Sequence, residues 1–323
     1  MVMQAVLLIV ALLLLWVRAL LAPTPMAAGD HPAILYGLLC RWLADVPRLA
    51  VAIAMLLVLV EGFTLNLLLA NVNLVSQNSL LPTLLYIVAM SAGATTLTPV
   101  ILVNGIAVAG LHQLMLRGTL LTITADKICG ATMLIGLASL FYQPAVILML
   151  GYLLIASSYR LYNWKDWMLM LLGFAMPYAL LVLVLYMTDG LASWWGDTLA
   201  SMKDLHLQTG DAGTLPTIAS LFLAAVMLWG LTSAVSRISE RPVLWQKNAA
   251  TVMLFTVGGL GMMLFSPLLP LQMAFLAIPF AFVTHRLFLA ATERPAGFGR
   301  RRKQHVWIYD LLLIAVIIAA LLC

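Results

Sequence analysis

Apolar residues along this chain come in blocks of up to about 20, separated by short polar or Pro/Gly-rich joints. The blocks fall at residues 3–22, 49–70, 80–92, 98–116, 127–142, 144–159, 166–187, 216–236, 248–266, 270–290 and 305–323. A helix of about 20 apolar residues crosses the roughly 30 Å hydrocarbon core of a bilayer. A backbone placed there must satisfy its own hydrogen bonds. The pattern therefore predicts an all-α polytopic transmembrane helix bundle of about 11 spans, forming a single integral membrane domain over 1–323. The third, fifth and sixth blocks are short of the usual ~17–25 residues and predict tilted, bent or re-entrant segments. The first block opens with no basic residue before its apolar run, and the small residues Ala22, Ala27 and Ala28 that follow it resemble a cleavage site. A removed signal peptide is the alternative reading of that block.

Three longer joints remain, at 23–48, 188–215 and 291–304. In the first, Gly29-Asp30-His31-Pro32 precedes Ile34, Leu35, Leu38, Leu39 and Trp42 at helical spacing. That spacing predicts a short amphipathic helix lying in the membrane interface. The second carries Trp194 and Trp195, whose rings suit the headgroup layer, and a Gly-rich polar tail through Gly213. The third is basic, with Arg300, Arg301, Arg302 and Lys303 in a row before the last block. Such a run orients the following span and attracts anionic headgroups.

Composition agrees with the block pattern. The 323 residues are 64% hydrophobic and 9% charged, with a mean hydropathy of +1.07, against about 25% charged in a soluble domain. This excludes soluble enzymes, nucleic-acid binders and disulfide scaffolds. Cys40, Cys129 and Cys323 are odd in number and lack metal-ligand spacing, so they read as small apolar fillers.

Charge then sets the expected orientation. With the N-terminus in the cytoplasm, Arg117, Lys127, Arg160, Lys165, Arg237, Arg241, Lys247, Arg286, Arg294 and the 300–303 cluster are internal. Arg41, Arg48 and Lys203 stay outside, with Arg18 snorkelling from the outer end of the first span. The positive-inside rule favours this arrangement, with the C-terminus outside. Asp30, Asp45, Asp189, Asp197, Asp204 and Asp211 all fall in the two outer joints.

Few residues offer chemistry. Glu61, inside the second block, is the most expensive side chain in the chain unless it meets a partner or a water-filled cavity. Asn66 follows it on the same helix. The pair reads as a proton or cation site, or as a carboxyl kept protonated or paired with a neighbouring helix. Asn104 and His112 lie two turns apart on the fourth block and read as interhelical hydrogen-bonding groups. Asp30 and His31 at the outer face have two readings. As candidate catalytic groups they supply a general base or hold a divalent cation; as local structure, Asp30 caps the following helix and Pro32 opens it. No His is spaced with another His or a Cys as metal ligands are, and no Walker, Rossmann, GxSxG or HExxH motif occurs.

Residues 80–187 carry a resemblance. They read LLPTLLYIVAM, VILVNGIAVAGLHQLMLRG, IGLASLFYQPAVILMLGYLLIASSYR and NWKDWMLMLLGFAMPYALLVLVLY. This succession, with EGFTLNLLLANVNLVSQNSLLP before it, resembles an uncharacterised polytopic inner-membrane family of Bacteroidetes, a domain of unknown function. A looser resemblance is to GT-C glycosyltransferases, which use polyprenyl-phosphate sugars. The shared features are a first outer loop with an acidic residue and an interfacial helix, then short paired spans with a hinge from Gly136 to Pro144. The GT-C resemblance implies Asp30 as the catalytic or cation-binding carboxylate and a polyprenyl-phosphate-linked sugar as substrate; Arg41 and Arg48 are then suited to pair with the carrier phosphate. Where such enzymes commonly pair two acidic residues, His31 follows Asp30 here and Asp45 lies beyond the helix. The expected function is transfer from a lipid carrier at the outer face of a bacterial inner membrane. The alternatives are a noncatalytic scaffold binding other envelope membrane proteins, and a transporter using Glu61 and Asn66.

Overall fold

The computed structural model describes residues 2–24, 26, 33–76, 79–92, 96–115, 125–159, 163–203, 214–236, 238–263, 273–292 and 302–322. Among them every regular element is a helix. Each apolar block of the sequence holds one: α1 (Val2–Leu21), α3 (Pro47–Asn71), α4 (Leu81–Ser91), α5 (Pro99–Met115), α6 (Ala125–Phe141), α7 (Leu148–Ser158), α8 (Trp164–Met187), α10 (Thr214–Val235), α11 (Val243–Met263), α12 (Ala277–Thr292) and α13 (Arg302–Leu322). The interfacial helix of the first joint is α2 (Ile34–Leu43). Among the described residues three helices, α3, α8 and α10, are long and apolar enough to cross a membrane.

The short third block owes its length to burial. At 11 residues, α4 is about 16 Å long, and nearly all of its residues are buried. It lies among α1, α3, α12 and α13, as expected of a helix that is apolar on all sides. Between the fifth and sixth blocks the 3₁₀ turn Gln143–Ile147, started by Pro144, hands α6 to α7, and the two helices pack mainly on others, α6 on α5 and α8 and α7 on α11. Tyr142 at that turn stacks on Phe275 with ring centroids 5.4 Å apart.

Close backbone approaches tie the outer helices in. Gly136 of α6 lies against the Phe174 carbonyl of α8, and Gly173 of α8 lies against Cys129 and Thr132 of α6, so neither position has room for a Cβ. Asn73 ends α3 in the left-handed conformation (φ 58), the amide of Leu74 returning to the Leu69 carbonyl at 2.9 Å. Asn248 of α11 donates to the Val72 carbonyl at 3.5 Å.

One part of the joint at 188–215 is itself helical rather than an irregular connection. Residues Leu191–Lys203 form α9. Asp189, also left-handed (φ 53), stops α8, and the Gly190 amide bonds the Leu185 carbonyl at 2.9 Å. The Gly190 carbonyl then receives the Trp194 amide, and a new helix starts within one turn of the last.

Candidate functional site

Glu61 is the second residue past the middle of the 25-residue α3, about 3 Å from the helix centre. It is 5% exposed. Its Oε2 accepts a hydrogen bond from the Tyr86 hydroxyl of α4 at 2.7 Å. Its Oε1 has no hydrogen-bond partner and packs against Gly105 of α5, where any Cβ would collide with it. Three helices therefore meet on one carboxyl, one supplying it, one donating to it and one making room for it.

The neighbouring residues bind the same helices. Gly62 offers its carbonyl to the Thr83 hydroxyl at 3.2 Å, and the ring of Tyr86 and the methyl of Thr83 occupy the space a Gly62 side chain would need. Asn104, fully buried, donates through Nδ2 to the Ala274 carbonyl at 2.6 Å and toward the Met90 sulfur at 3.1 Å. The Oδ1 atoms of Asn104 and of the buried Asn66 have no partner. Among the described residues the hydrogen-bond partner of Glu61 is Tyr86. The arrangement clasps α3, α4 and α5 in one register, and leaves an oxygen able to accept one more donor or a cation.

The other residues singled out from sequence do not join this cluster. Asn104 is buried while His112 is only half-buried, because eight residues at 100° each leave the two 80° apart around α5. Arg41 and Arg48 are both exposed, at the end of α2 and the start of α3. Asp30 and His31, and with them the divalent-cation reading, lie outside the described residues, as does most of the basic loop 291–304. Among the described residues no three of His, Cys, Asp and Glu come together. The helix after Asp30 is held by its own chemistry. Tyr36 of α2 donates to the Leu97 carbonyl at 3.0 Å, and burial and the adjacent Cys40 push its hydroxyl up, keeping it a donor.

Tyr86, Thr83, Gly62 and Gly105 escaped the sequence reading. A faint signal exists: Glu61-Gly62 and Asn104-Gly105 each set a polar residue beside a glycine in an apolar run, the combination needed when a polar group must approach a neighbouring backbone.

A small cavity with room for about one water molecule lies elsewhere, lined by Leu114, Ile128, Thr132, Tyr152 and Met170 among others. The Tyr152 hydroxyl is buried without a hydrogen-bond partner and lies against Gly110. A void of that size is far below the ~300–1,000 Å³ typical of small-molecule sites. Searches of protein families, curated proteins and solved structures found no match for this chain.

Proposed function

We propose that this chain is a multi-pass, noncatalytic membrane component that holds a partner protein's transmembrane helix along α8. The observation that carries this reading is the contrast between the bundle's middle and its edge. Around Glu61 the helices are packed side chain to backbone, with Gly105 against its Oε1 and Tyr86 on its Oε2. In α8, by contrast, Met170, Gly173 and Pro177 are buried against the bundle, while Leu171, Leu172, Met176, Leu180, Leu183 and Val184 are exposed. Ala175 and Ala179, also exposed, sit four residues apart among them, the small-residue spacing that lets a second helix approach closely. In this reading the eleven helices cross a bacterial inner membrane with the N-terminus inside and the C-terminus outside, as the Lys and Arg distribution favours.

A photo-crosslinking residue placed at Leu172, Leu180 or Leu183 in cells tests it. The expected result is one discrete protein adduct shared by the three positions and lost with Ala175→Leu. Adducts to lipid alone would sink the proposal.

A second reading has one observation in its favour. The exposed guanidinium side chains of Arg41 and Arg48 stand at the α2–α3 corner, suited to the phosphate of a polyprenyl-linked sugar, with Asp30 and His31 as base or cation ligands in a glycan transfer at the outer face. Mass spectrometry of lipid-linked intermediates from deletion and Asp30→Ala strains decides it. An intermediate that accumulates in both supports transfer, and an unchanged profile rejects it.

A further inference from the structure

Helix α9 begins at the end of a helix that is long and apolar enough to cross a membrane. The 24 residues of α8 make it about 36 Å long, sufficient to pass the ~30 Å hydrocarbon core and end at its boundary. The left-handed Asp189 closes α8, and the Gly190 carbonyl receives the first amide of α9 within one turn. The start of α9 is therefore tied to the depth at which α8 ends. The helix packs on α8, and Leu191, Trp194 and Thr198, three or four residues apart, are its half-buried side.

Helix geometry sorts the remaining side chains into two edges. Trp195 and Leu199, 58% and 44% exposed, are four residues apart and so about 40° from each other around the axis. Ser193 and Asp197, also exposed, have the same spacing and stand about 160° from the first pair. An apolar edge and a polar edge thus lie on nearly opposite sides of α9, the pattern of a helix lying in the plane of a membrane surface. Bulk water would leave the indole and the leucine solvated, and passage through hydrocarbon would place the Asp197 carboxylate there. The boundary plane satisfies both edges. The rings of Trp194 and Trp195, 6.0 Å apart and tilted by 57°, are of the kind that settles at headgroup depth. Charge points to the same contact without an electrostatic component, since residues 189–203 hold Asp189 and Asp197 against Lys203, and attraction to anionic headgroups needs a basic cluster.

We propose that α9 is an in-plane anchor on the phospholipid surface, with Trp195 and Leu199 in the boundary between headgroups and acyl chains and Ser193 and Asp197 facing water, so that α9 fixes the depth of α8. The proposal rests on α8 crossing the bilayer and not on what docks along it. Nitroxide accessibility tests it on the full chain in phosphatidylcholine vesicles, in a background carrying Cys40→Ala, Cys129→Ala and Cys323→Ala. The label is attached singly at Ser193→Cys, Trp195→Cys, Asp197→Cys or Leu199→Cys, and at Leu183→Cys on α8 as a control. Relaxation by oxygen, which concentrates in lipid, is compared with relaxation by a water-soluble nickel chelate. The expected oxygen-to-nickel ratio is several-fold higher at 195 and 199 than at 193 and 197, and the same when phosphatidylglycerol replaces phosphatidylcholine. Equal, nickel-rich exposure at all four positions places α9 in water and overturns the proposal. Shielding of 195 and 199 from both reagents also overturns it, because protein then covers that edge, and so does a high ratio found in phosphatidylglycerol alone. A nickel-rich label at 183 removes the premise that α8 crosses the bilayer. Failure of the α8 docking reading leaves all five labels unchanged, since the purified chain holds no partner helix.

Discussion

Tyr86→Phe removes one hydroxyl from a fully buried ring and leaves the ring's packing in place. The loss is the 2.7 Å bond to Glu61 Oε2, and because Oε1 already has no hydrogen-bond partner, the variant buries a carboxyl with both oxygens unserved. Interhelical hydrogen bonds in membranes average about 0.6 and reach about 1.7 kcal/mol. An orphaned buried acceptor costs about 1–3 kcal/mol. We therefore expect Tyr86→Phe to destabilise by about 1–2 kcal/mol. Glu61→Met, close in length and apolar, removes the acceptor as well, and replacing both partners with apolar groups is close to neutral. In the Tyr86→Phe background it should restore about 1 kcal/mol, so the double variant is more stable than Tyr86→Phe alone. The assay is a double-mutant cycle on the purified full chain, unfolded in mixed micelles by titration with dodecyl sulfate and followed by steric trapping. A coupling within the roughly 0.3–0.5 kcal/mol scatter of independent sites would refute the clasp and leave Glu61 and Tyr86 as neighbours without energetic linkage.

The same assay reads three further perturbations. Gly105→Ala should destabilise although alanine is the better helix former by about 1 kcal/mol, because its methyl meets Glu61 Oε1; removing the carboxyl with Glu61→Ala should recover part of the loss. Gly173→Ala and Gly130→Ala should differ in sign. The first drives a methyl into Cys129 and Thr132 of α6, while the second meets nothing within 4 Å and should stabilise by up to about 1 kcal/mol; equal effects would remove the close α6–α8 approach from the account. Cys40 is buried and its thiol pushed up by that burial, so maleimide labelling at pH 7.5 should be much slower than for an unfolded control.

Sequence legibility here follows the physics of each feature. Helices were readable because a backbone in an apolar block satisfies itself within the block, so block and helix coincide without knowledge of any neighbour. The start of α9 was not, since Asp189-Gly190 reads equally as a loop or as a left-handed stop followed by a new helix, and the Gly190 carbonyl decides between them only once it receives the Trp194 amide. Glu61 announced itself by cost alone. Its partner could not, because a tyrosine in the apolar run of α4 has the composition of core, and its hydroxyl acquires meaning only where α4 crosses α3 at Gly62. The glycines are the link between the two levels. Each of the polar-glycine pairs at 61–62 and 104–105 places a side chain that must be answered beside a backbone that can be approached, and the two pairs face each other across α3 and α5 through Glu61 and Gly105. A polar residue followed by glycine in an apolar helix is thus a sharper pointer to an interhelical clasp than the polar residue alone. In this chain it marks where the bundle's register is set, and it separates that fixed centre from the exposed length of α8, the face to which the proposed function assigns a partner's helix.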